Sequence, residues 1–341
     1  MFRKARASKV FFRPHVKSHQ SIEIASWFRK RGVSGITVSS LKMAVYFSNH
    51  GWKDITIAIP AIALDANKIN DLAANISLNI LVESAEGIDL IGNDAKHELG
   101  VFVEIDTGYH RTGISSDDKH SINNILLKIK NSQLVFKGFL SHFGNTYSAA
   151  SRDEIVQIYK SSIDTLLALK SHFQAIFPDI QLSIGDTPSC SIINDFVEAD
   201  EIRPGNFVFF DVMQWKLGSC SFDDIAVALI APVIAKHPER DEIVIHAGAV
   251  HLSKEFIVDE NGNKIFGLIS RFSDGKWSDP IEHAFVTSLS QEHGIVKIRG
   301  HEIHSIHPGD LLAILPIHSC LTANLMRSYQ TKDGKVIEMM P

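Results

Sequence analysis

The chain has 341 residues, of which 45% are hydrophobic and 21% are charged, and its formal net charge is -5 at pH 7. This balance is typical of a globular enzyme, and the negative charge argues against a nucleic-acid-binding protein. The sequence has no apolar run long enough to cross a bilayer and no signal-peptide pattern. Three cysteines do not suggest a disulfide framework, so we expect a cytoplasmic protein that binds neither nucleic acid nor membrane.

Short apolar runs alternate with longer segments of helical periodicity as far as Arg203. Strands are predicted at 10–12, 35–38, 55–59, 80–82, 101–105, 136–143, 181–184 and 201–202. Helices are predicted at 20–31, 40–50, 65–74, 85–93, 116–130 and 151–177. Such alternation indicates βαβ units with a parallel sheet, and eight strands are enough to close a (β/α)8 barrel.

The pattern changes near residue 216 to short strands without a convincing long helix. Strands are predicted at 225–234, 241–247, 264–269, 294–298, 301–306 and 311–315. Turn residues such as Asn261-Gly262-Asn263 separate them. The sequence therefore predicts an α/β (β/α)8 barrel over 1–215 and an all-β domain over 216–341.

Lys17 follows the first predicted strand, and barrels of this class place their chemistry at the C-terminal ends of strands. Taken alone, Lys17 is best interpreted as a solvated lysine. Polar clusters, each of which alone would be an ordinary turn, also follow four other strands and begin at Asp106, Ser141, Gly185 and Arg203. Together on one rim, these clusters and Lys17 indicate a functional site.

The segments 185–189 and Gly205-Asn206 supply small residues and hydroxyls, which suit a phosphate. A lysine beside such a cradle, without a Walker-type glycine-rich loop, suggests pyridoxal 5′-phosphate held as a Schiff base. Arg111 is a candidate partner of the cofactor's phenolate oxygen. Arg203 or Tyr147 is a candidate partner of its pyridine nitrogen.

Near the C-terminus, the segment 313–320 ends in a His-x-Cys pair, His318 and Cys320. If this segment stays extended, its period of two places both side chains on one face. The ordinary interpretation is a half-buried histidine beside a structural cysteine. The alternative is a pair of metal ligands, and a thiolate selects zinc.

Several motifs occur in the order and spacing of the fold-type III pyridoxal-phosphate enzymes. They are RPHVKSH at 13–19, EIDTGYHRTGI at 104–114, HFGNTY at 142–147, SIGDTPS at 183–189 and EIRPGNFVFFD at 201–211. Within this class the chain resembles the D-serine dehydratase/D-threonine aldolase family more than alanine racemase, and QEHG at 291–294 and PIHSC at 316–320 extend the resemblance. Family members usually open with an extra strand and helix. We therefore expect either that the numbered chain lacks its true start or that the first strand of the β-domain is missing.

The resemblance implies roles for individual residues. Lys17 carries the Schiff base and removes the Cα proton, and Arg111 contacts the O3′ of the cofactor. Tyr147 and Arg203 lie near its ring. The phosphate is held by Ser183, Thr187, Gly205 and Asn206. The family also has a two-ligand metal site at the positions of His318 and Cys320, where its dehydratases carry His-x-Cys and its aldolases His-x-Asp, and its members are commonly homodimers.

The expected activity is a zinc- and pyridoxal-phosphate-dependent dehydration of a D-β-hydroxy amino acid to a 2-keto acid and ammonia. D-serine, D-threonine and 3-hydroxy-D-aspartate all remain candidate substrates. The nearest alternative is a metal-dependent D-threonine-type aldolase. A racemase would need a second base, usually a tyrosine from the β-domain, and the predicted β-domain has none before Tyr329. A non-catalytic cofactor carrier would lack the β-domain. His293 is either near the metal or structural.

Overall fold

A computed structural model describes residues 1–92 and 95–341 of the chain. Within these residues the chain divides into two compact units, Met1–Phe207 with Met340, and Val208–Met339 with Pro341. The sequence placed the boundary later, between residues 215 and 216. One predicted helix end, at Asn93, lies outside the described residues. Each unit has its own hydrophobic core and is described by itself.

The first unit is built on a parallel sheet. Eight of its strands follow the order β1-β9-β8-β7-β5-β4-β3-β2, and a short ninth strand, β6, pairs with β5. A parallel bridge between His15 and Thr37 joins the two ends of this path, and the predicted α/β barrel is confirmed. The strands are β1 (Phe11–Phe12), β2 (Ile36–Val38), β3 (Asp54–Pro60), β4 (Ser77–Val82), β5 (Leu99–Asp106), β6 (Ile114–Ser115), β7 (Leu134–Ser141), β8 (Gln181–Ile184) and β9 (Glu201–Ile202).

Helices of the first unit connect these strands. They are α1 (Phe2–Ala7), α2 (Ile22–Arg29), α3 (Leu41–Asn49), α4 (Ala66–Ala73), α5 (Ala85–Gly92), α6 (Lys119–Lys130), α7 (Arg152–Phe173) and α8 (Thr187–Ile192). Ser40, Asp65, Asp118 and Ser151 accept N–H groups of the first turn of α3, α4, α6 and α7 and fix where each begins. Helix α1 was not predicted because half of its short sequence, FRKARA, is basic. In the described part of the chain, no helix combines the length and apolar character needed to cross a membrane.

Several strands of the first unit, β2, β4, β5 and β9, are buried along almost their whole length. In β5 every residue from Leu99 to Ile105 is buried. Parallel strands covered by helices are continuous apolar runs, because both of their faces are buried. Helix α6 packs Ile122, Leu126 and Ile129 against this core at spacings of four and three residues. The core thereby fixes the strand ends, where the polar clusters lie.

The second unit contains a closed antiparallel barrel in the order β10-β11-β16-β15-β14-β17, and the predicted all-β architecture is confirmed. Its strands are β10 (Leu229–His237), β11 (Glu242–Ile245), β12 (Ile257–Val258), β13 (Lys264–Ile265), β14 (Gly267–Ser273), β15 (Lys276–Leu289), β16 (Gly294–Lys297), β17 (Leu311–Pro316), β18 (Ser328–Gln330) and β19 (Val336–Glu338). Its helices are α9 (Val212–Lys216), α10 (Ala249–Leu252) and α11 (Ser319–Met326).

Two sequence interpretations in this unit were wrong. The segment 301–306 was predicted as a strand, but Gly300–Ser305 is a 3-10 helix. Ile303 and Ile306 are the buried residues there, and their spacing of three matches the 3-10 period. The long strand β15 was not predicted, because its first half is largely exposed and contains Pro280, so it has no apolar alternation.

Gly138 on β7 generates a stability prediction. It has a φ of +149°, and a Cβ there would overlap the backbone oxygen of Gln181 on β8 and lie 2.5 Å from its nitrogen. We expect Gly138→Ala to lower the free energy of unfolding by about 3 kcal/mol or more, because the strand pairing must shift. Gly32→Ala is the control: Gly32 also has a positive φ, +89°, but open space around it, and should cost about 1 kcal/mol. Equal losses in urea unfolding of the two variants would contradict this account.

Candidate active site

Lys17 lies in a 3-10 turn, Val16–Ser18, that follows β1. Its side chain is exposed, whereas Val16 and Ser18 are buried. The backbone N–H of Lys17 donates to Nδ1 of His15 at 3.5 Å. The turn therefore anchors both neighbours of the lysine in the core and leaves the lysine side chain accessible.

Two histidines near Lys17 are neutral at neutral pH. Burial, followed by the positive charges of Lys17 and Arg203, holds the pKa of His15 well below 6.5. Burial and then the charge of Lys17 lower the pKa of His142 to about 3. Nδ1 of His142 lies 2.5 Å from the carbonyl oxygen of Gly185, and a carbonyl can only accept. Nδ1 therefore carries the proton of this ring, and Nε2 is an acceptor.

Aromatic contacts connect His142 to two predicted cofactor residues. The ring of Tyr109 packs edge-on against His142, with ring centroids 5.7 Å apart and planes at 84°. The Arg111 guanidinium lies 5.1 Å from the centroid of the same tyrosine ring. The ring of Tyr147 lies 6.2 Å from His142 on a tilted plane. His142 was not among the site residues predicted from the sequence, although its position directly after β7 was an available signal.

Three predicted cofactor-binding residues form a chain of hydrogen bonds. The backbone N–H of Thr187 donates to the Tyr147 hydroxyl at 3.3 Å, and that of Asn206 donates to the Thr187 hydroxyl at 3.0 Å. Thr187 and Asn206 are buried, and Tyr147 is half-buried. The fold thus brings together residues that follow β7, β8 and β9.

Asp186 adds a buried carboxyl group to this region that the sequence analysis did not assign. It caps α8, accepting from the backbone N–H of Ser189 at 2.6 Å and from the Thr146 hydroxyl at 2.9 Å. Burial raises its pKa to about 6, although both hydrogen bonds oppose the rise. Its place just before Thr187-Pro188, where a helix begins, was the signal for its capping role.

The space beside Gly205 tests whether these residues suit a phosphate-bearing cofactor. A Cβ at this position would lie 2.9 Å from the Ser18 hydroxyl oxygen and 3.1 Å from the carbonyl oxygen of His15. Ser18 is 1% exposed, and its hydroxyl has no hydrogen-bond partner within the described residues. A buried donor facing a residue without a side chain is what a phosphate oxygen needs. With Lys17 and Arg203 nearby, the residues present fit pyridoxal 5′-phosphate.

Ser183, predicted as a phosphate ligand, has a different role. Its hydroxyl donates to Glu201 at 2.6 Å and accepts from Nε of Arg203 at 2.6 Å. A serine hydroxyl has one proton, and this one is donated to Glu201. Arg203 also donates to the carbonyl oxygens of Ser141 and Ser183, at 2.9 Å and 3.3 Å. Ser183 therefore orients Arg203 in this structure, and its role as a phosphate ligand stays a prediction.

Arg13 completes a buried charge network behind the site. Its Nε donates to Glu201 at 2.5 Å, and its terminal nitrogens donate to Asp54 at 2.6 Å and 3.0 Å. Glu201 thus lies between two arginines, Arg13 and Arg203. Burial lowers the pKa of Arg203 to about 10, which leaves its guanidinium charged at neutral pH.

In the second unit, His318 and Cys320 do not continue an extended segment as predicted. Strand β17 ends at Pro316, His318 is the N-cap residue of α11, and Cys320 is the second residue of that helix. Buried Asp211 accepts from the backbone N–H of Ser319 at 3.0 Å and from its hydroxyl at 3.2 Å, which favours the helix start. The argument from a shared strand face is therefore wrong. The donor set, an imidazole nitrogen and a thiolate sulfur, still fits zinc.

His293 lies in the turn between β15 and β16. Its carbonyl oxygen accepts from the backbone N–H of Ser290 at 2.9 Å and from the Ser290 hydroxyl at 3.3 Å. These bonds involve only its backbone, so the role of its side chain stays a prediction.

Family models match both parts of the chain. Residues 2–212 match the family described as "Alanine racemase, N-terminal domain". Residues 226–331 match the family described as "Putative serine dehydratase domain". The order of the two matches is the order of the two units.

Curated relatives span nearly the whole chain. The D-serine dehydratase of Dictyostelium discoideum is 28% identical and covers 99% of this chain and 90% of its own. The D-threo-3-hydroxyaspartate dehydratase of Delftia sp. is 28% identical and covers 97% of this chain and 89% of its own. The D-threonine aldolase of Arthrobacter sp. is 23% identical and covers 96% of this chain and 82% of its own.

Solved structures share the fold. The structure of the Delftia D-threo-3-hydroxyaspartate dehydratase has a TM-score of 0.87 at 25% identity and covers 99% of this chain and 92% of its own. A variant of that enzyme with one cysteine replaced by alanine is described as metal-free and has a TM-score of 0.88 at 26% identity, with the same coverage. Another solved variant replaces a histidine two positions before that cysteine.

The Arg13 network generates a stability prediction. Arg13→Ala removes the cation bound to Asp54 and one of the two arginines beside Glu201, so we expect a loss of about 3 kcal/mol or more in the free energy of unfolding. Lys128→Ala is the matched control, because the Lys128–Asp89 pair, at 2.5 Å, is much more exposed. Lys128→Ala should lower the free energy of unfolding by less than about 1 kcal/mol. Urea unfolding measures both variants, and a loss below 1 kcal/mol for Arg13→Ala would contradict the account.

Asp186 generates a pH prediction. Its pKa rises from 3.8 to about 6 in the folded chain, so the folded state binds this proton more tightly than the unfolded state. The stability contributed by protonated Asp186 is therefore complete below about pH 4 and declines until about pH 6. Relative to Asp186→Asn, which does not titrate, the wild-type chain should lose up to about 3 kcal/mol across this range. The free energy of unfolding is measured by urea unfolding at each pH. The same pH dependence in the wild-type chain and in Asp186→Asn would contradict the prediction.

Proposed function

The chain belongs to the alanine racemase N-terminal domain family, and on that premise we propose that it is a pyridoxal-phosphate- and zinc-dependent lyase acting on a D-β-hydroxy amino acid. The substrate loses its Cα proton and its β-hydroxyl group as water. Hydrolysis of the resulting unsaturated amine gives a 2-keto acid and ammonia. D-serine, D-threonine and 3-hydroxy-D-aspartate are the candidate substrates.

The observation that carries the dehydratase assignment is the donor pair at the start of α11. His318 and Cys320 offer nitrogen and sulfur, whereas a carboxylate in place of the thiol would suit manganese or magnesium. Support comes from the Delftia dehydratase, whose solved variants replace a histidine and a cysteine at the same spacing and of which the cysteine variant is described as metal-free.

Pyridoxal 5′-phosphate, when bound, supplies an electron sink that acidifies the substrate Cα. Thr187, Gly205, Asn206 and Ser18 would hold its phosphate group. Arg203, which stays protonated, would donate a hydrogen bond to its ring, and Arg111 would face its phenolate oxygen. Tyr147 would lie beside the cofactor ring. Its hydroxyl accepts a hydrogen bond from the backbone N–H of Thr187.

Lys17 is the residue that moves the proton at Cα. Its accessible side chain follows β1, and two neighbouring histidines, His15 and His142, are candidates for the same task. A histidine whose pKa is about 3 is a weak base at neutral pH, so His142 is a poor proton acceptor. The same holds for His15, whose pKa is well below 6.5. Proton transfer therefore falls to Lys17.

Zinc would be held by His318 and Cys320, with its remaining positions open to water and substrate. There it would act as a Lewis acid that eases departure of hydroxide, a poor leaving group. Of the other cysteines, Cys190 is buried, and burial raises the pKa of Cys220 to about 12. Neither thiol is suited to lose its proton to a metal at neutral pH.

The nearest second candidate is a retro-aldol cleavage, since a D-threonine aldolase is among the curated relatives. That reaction needs a base for the β-hydroxyl group and leaves the Cα proton in place. The thiol at position 320 disfavours it. We also infer a homodimer, from the family resemblance, and a cytoplasmic location, because a thiolate ligand requires reducing conditions.

The test is to incubate the purified chain, loaded with the cofactor, with D-threonine in the presence and absence of a zinc chelator. Chelator-sensitive formation of 2-oxobutyrate and ammonia is expected. Cys320→Ala should lower turnover by about 100-fold or more while retaining the absorption of the bound cofactor. Cys220→Ala is the matched control and should stay within about twofold of the wild-type rate, because its protonated thiol has no part in the reaction.

Two outcomes would contradict the proposal. Glycine and acetaldehyde as products would establish the aldolase reaction. Wild-type turnover in Cys320→Ala, or turnover that resists the chelator, would remove the metal from the mechanism.

A further inference from the structure

Three metal-binding side chains converge in the second unit, apart from the His-x-Cys pair. His246 directly follows β11, His251 lies in α10, and Glu292 lies in the turn between β15 and β16. One ligand atom from each lies within 4.8 Å of the other two. Three separate segments of the chain thus aim nitrogen and oxygen donors at one point.

The distances within this cluster leave space between the donors. Nε2 of His246 lies 3.8 Å, and Nε2 of His251 lies 3.9 Å, from the same carboxylate oxygen of Glu292. Both separations exceed a hydrogen bond. The centroids of the two imidazole rings are 5.6 Å apart and the ring planes meet at 73°, so the rings do not stack. Zinc bonds to nitrogen and carboxylate oxygen of about 2.0–2.2 Å fit between these atoms after small side-chain rotations.

Backbone hydrogen bonds tie the three segments together. The N–H of Ala249 donates to the carbonyl oxygen of Ser290 at 2.8 Å, and the N–H of Val250 donates to that of Gln291 at 3.2 Å, which joins α10 to the turn. Pairing of Ile245 with Gly294 joins β11 to β16 on the other side of the same turn. These contacts hold the backbone of the three segments together, and the side chains of His246 and Glu292 stay largely exposed.

Gly248 allows the close approach of these segments. A Cβ there would overlap the carbonyl group of Gln291. Its backbone N–H donates to Nδ1 of His251 at 3.2 Å, which directs Nε2 of that ring toward Glu292. Coordination through Nε2 requires a proton on Nδ1, so metal binding would replace this hydrogen bond and move the Gly248 amide.

We propose that His246, His251 and Glu292 bind a divalent transition metal ion such as Zn²⁺. Two imidazoles and one carboxylate form a donor set that binds zinc with a fourth position open to solvent, and the side chains of His246 and Glu292 are 53% and 45% exposed. Within the described residues, neither His318 nor Cys320 belongs to this group. The site is therefore a second metal site, with nitrogen and oxygen donors only.

The test is a titration of the full-length chain with Co²⁺, followed by absorption spectroscopy, with Zn²⁺ binding measured by calorimetry. A thiolate ligand gives an intense charge-transfer band, and a site without sulfur gives only weak visible bands. We expect both signals in the wild-type chain. Glu292→Gln and His246→Ala should each weaken the sulfur-free phase by at least about tenfold and leave the charge-transfer band unchanged.

Two further variants separate this site from the proposed zinc site and from surface histidines in general. Cys320→Ala should remove the charge-transfer band and retain the sulfur-free phase. His283→Ala is the matched control, because His283 is an exposed histidine 3.4 Å from the carboxylate of Glu282, and it should change neither signal.

The proposal is overturned if Cys320→Ala abolishes all saturable metal binding, or if Glu292→Gln and His246→Ala bind metal as the wild-type chain does. An unmoved Gly248 amide resonance on Zn²⁺ addition would exclude His251 as a ligand. A missing charge-transfer band with an intact sulfur-free phase would overturn the zinc site at Cys320 and leave this one standing.

Discussion

The join between β1 and β2 is the constraint on which the first unit depends. A single parallel bridge, His15 with Thr37, connects these two strands, and Arg13 reinforces it by binding Asp54 at the start of β3. Gly35 makes room for this pair, since a Cβ there would lie 2.5 Å from Nη1 of Arg13. Lys17 follows directly after this join. The position of Lys17 is therefore set by a single β-bridge and by the ion pair between Arg13 and Asp54.

The same arginine organises the charges behind the site. One carboxylate oxygen of Glu201 accepts a hydrogen bond from Arg13, and the other accepts one from the Ser183 hydroxyl. The Ser183 hydroxyl in turn accepts a hydrogen bond from Nε of Arg203. Removing such groups from water costs as much as their attraction returns, so the network adds little net stability. Its effect is specificity: Arg203 has one orientation and stays charged. Burial, followed by the positive charges of Lys17 and Arg203, lowers the pKa of His15 and keeps it neutral.

How much the sequence could predict depends on the range of the interactions involved. The barrel strands and the rim residues Lys17, Thr187 and Asn206 are local features, since each polar cluster directly follows an apolar run. The hydrogen bond from the Ser183 hydroxyl to Glu201 was not predicted, because Glu201 belongs to another strand. The segment through His318 was predicted to stay extended. It turns into helix α11 instead, because Asp211, which is remote in sequence, accepts the backbone N–H of Ser319 at the start of that helix. Local pattern located the polar residues at the strand ends, whereas the hydrogen bonds that decide which of their atoms are available come from residues remote in sequence.

Hydrogen-bond availability also separates the two sets of proposed metal donors in the second unit. Asp211 binds the N–H of Ser319 and, through its other oxygen, that of Gln214, so one buried carboxylate starts both α9 and α11 and fixes the backbone that carries Cys320. His246 and Glu292, by contrast, are fixed by strand pairing on an exposed turn. A sulfur donor on a helix start that a buried carboxylate holds in place suits a catalytic ion, because such an ion needs ligands in fixed positions. Exposed nitrogen and oxygen donors suit an ion that exchanges with solvent. The two sites therefore differ in both donor softness and rigidity, which makes their affinities for one metal unequal.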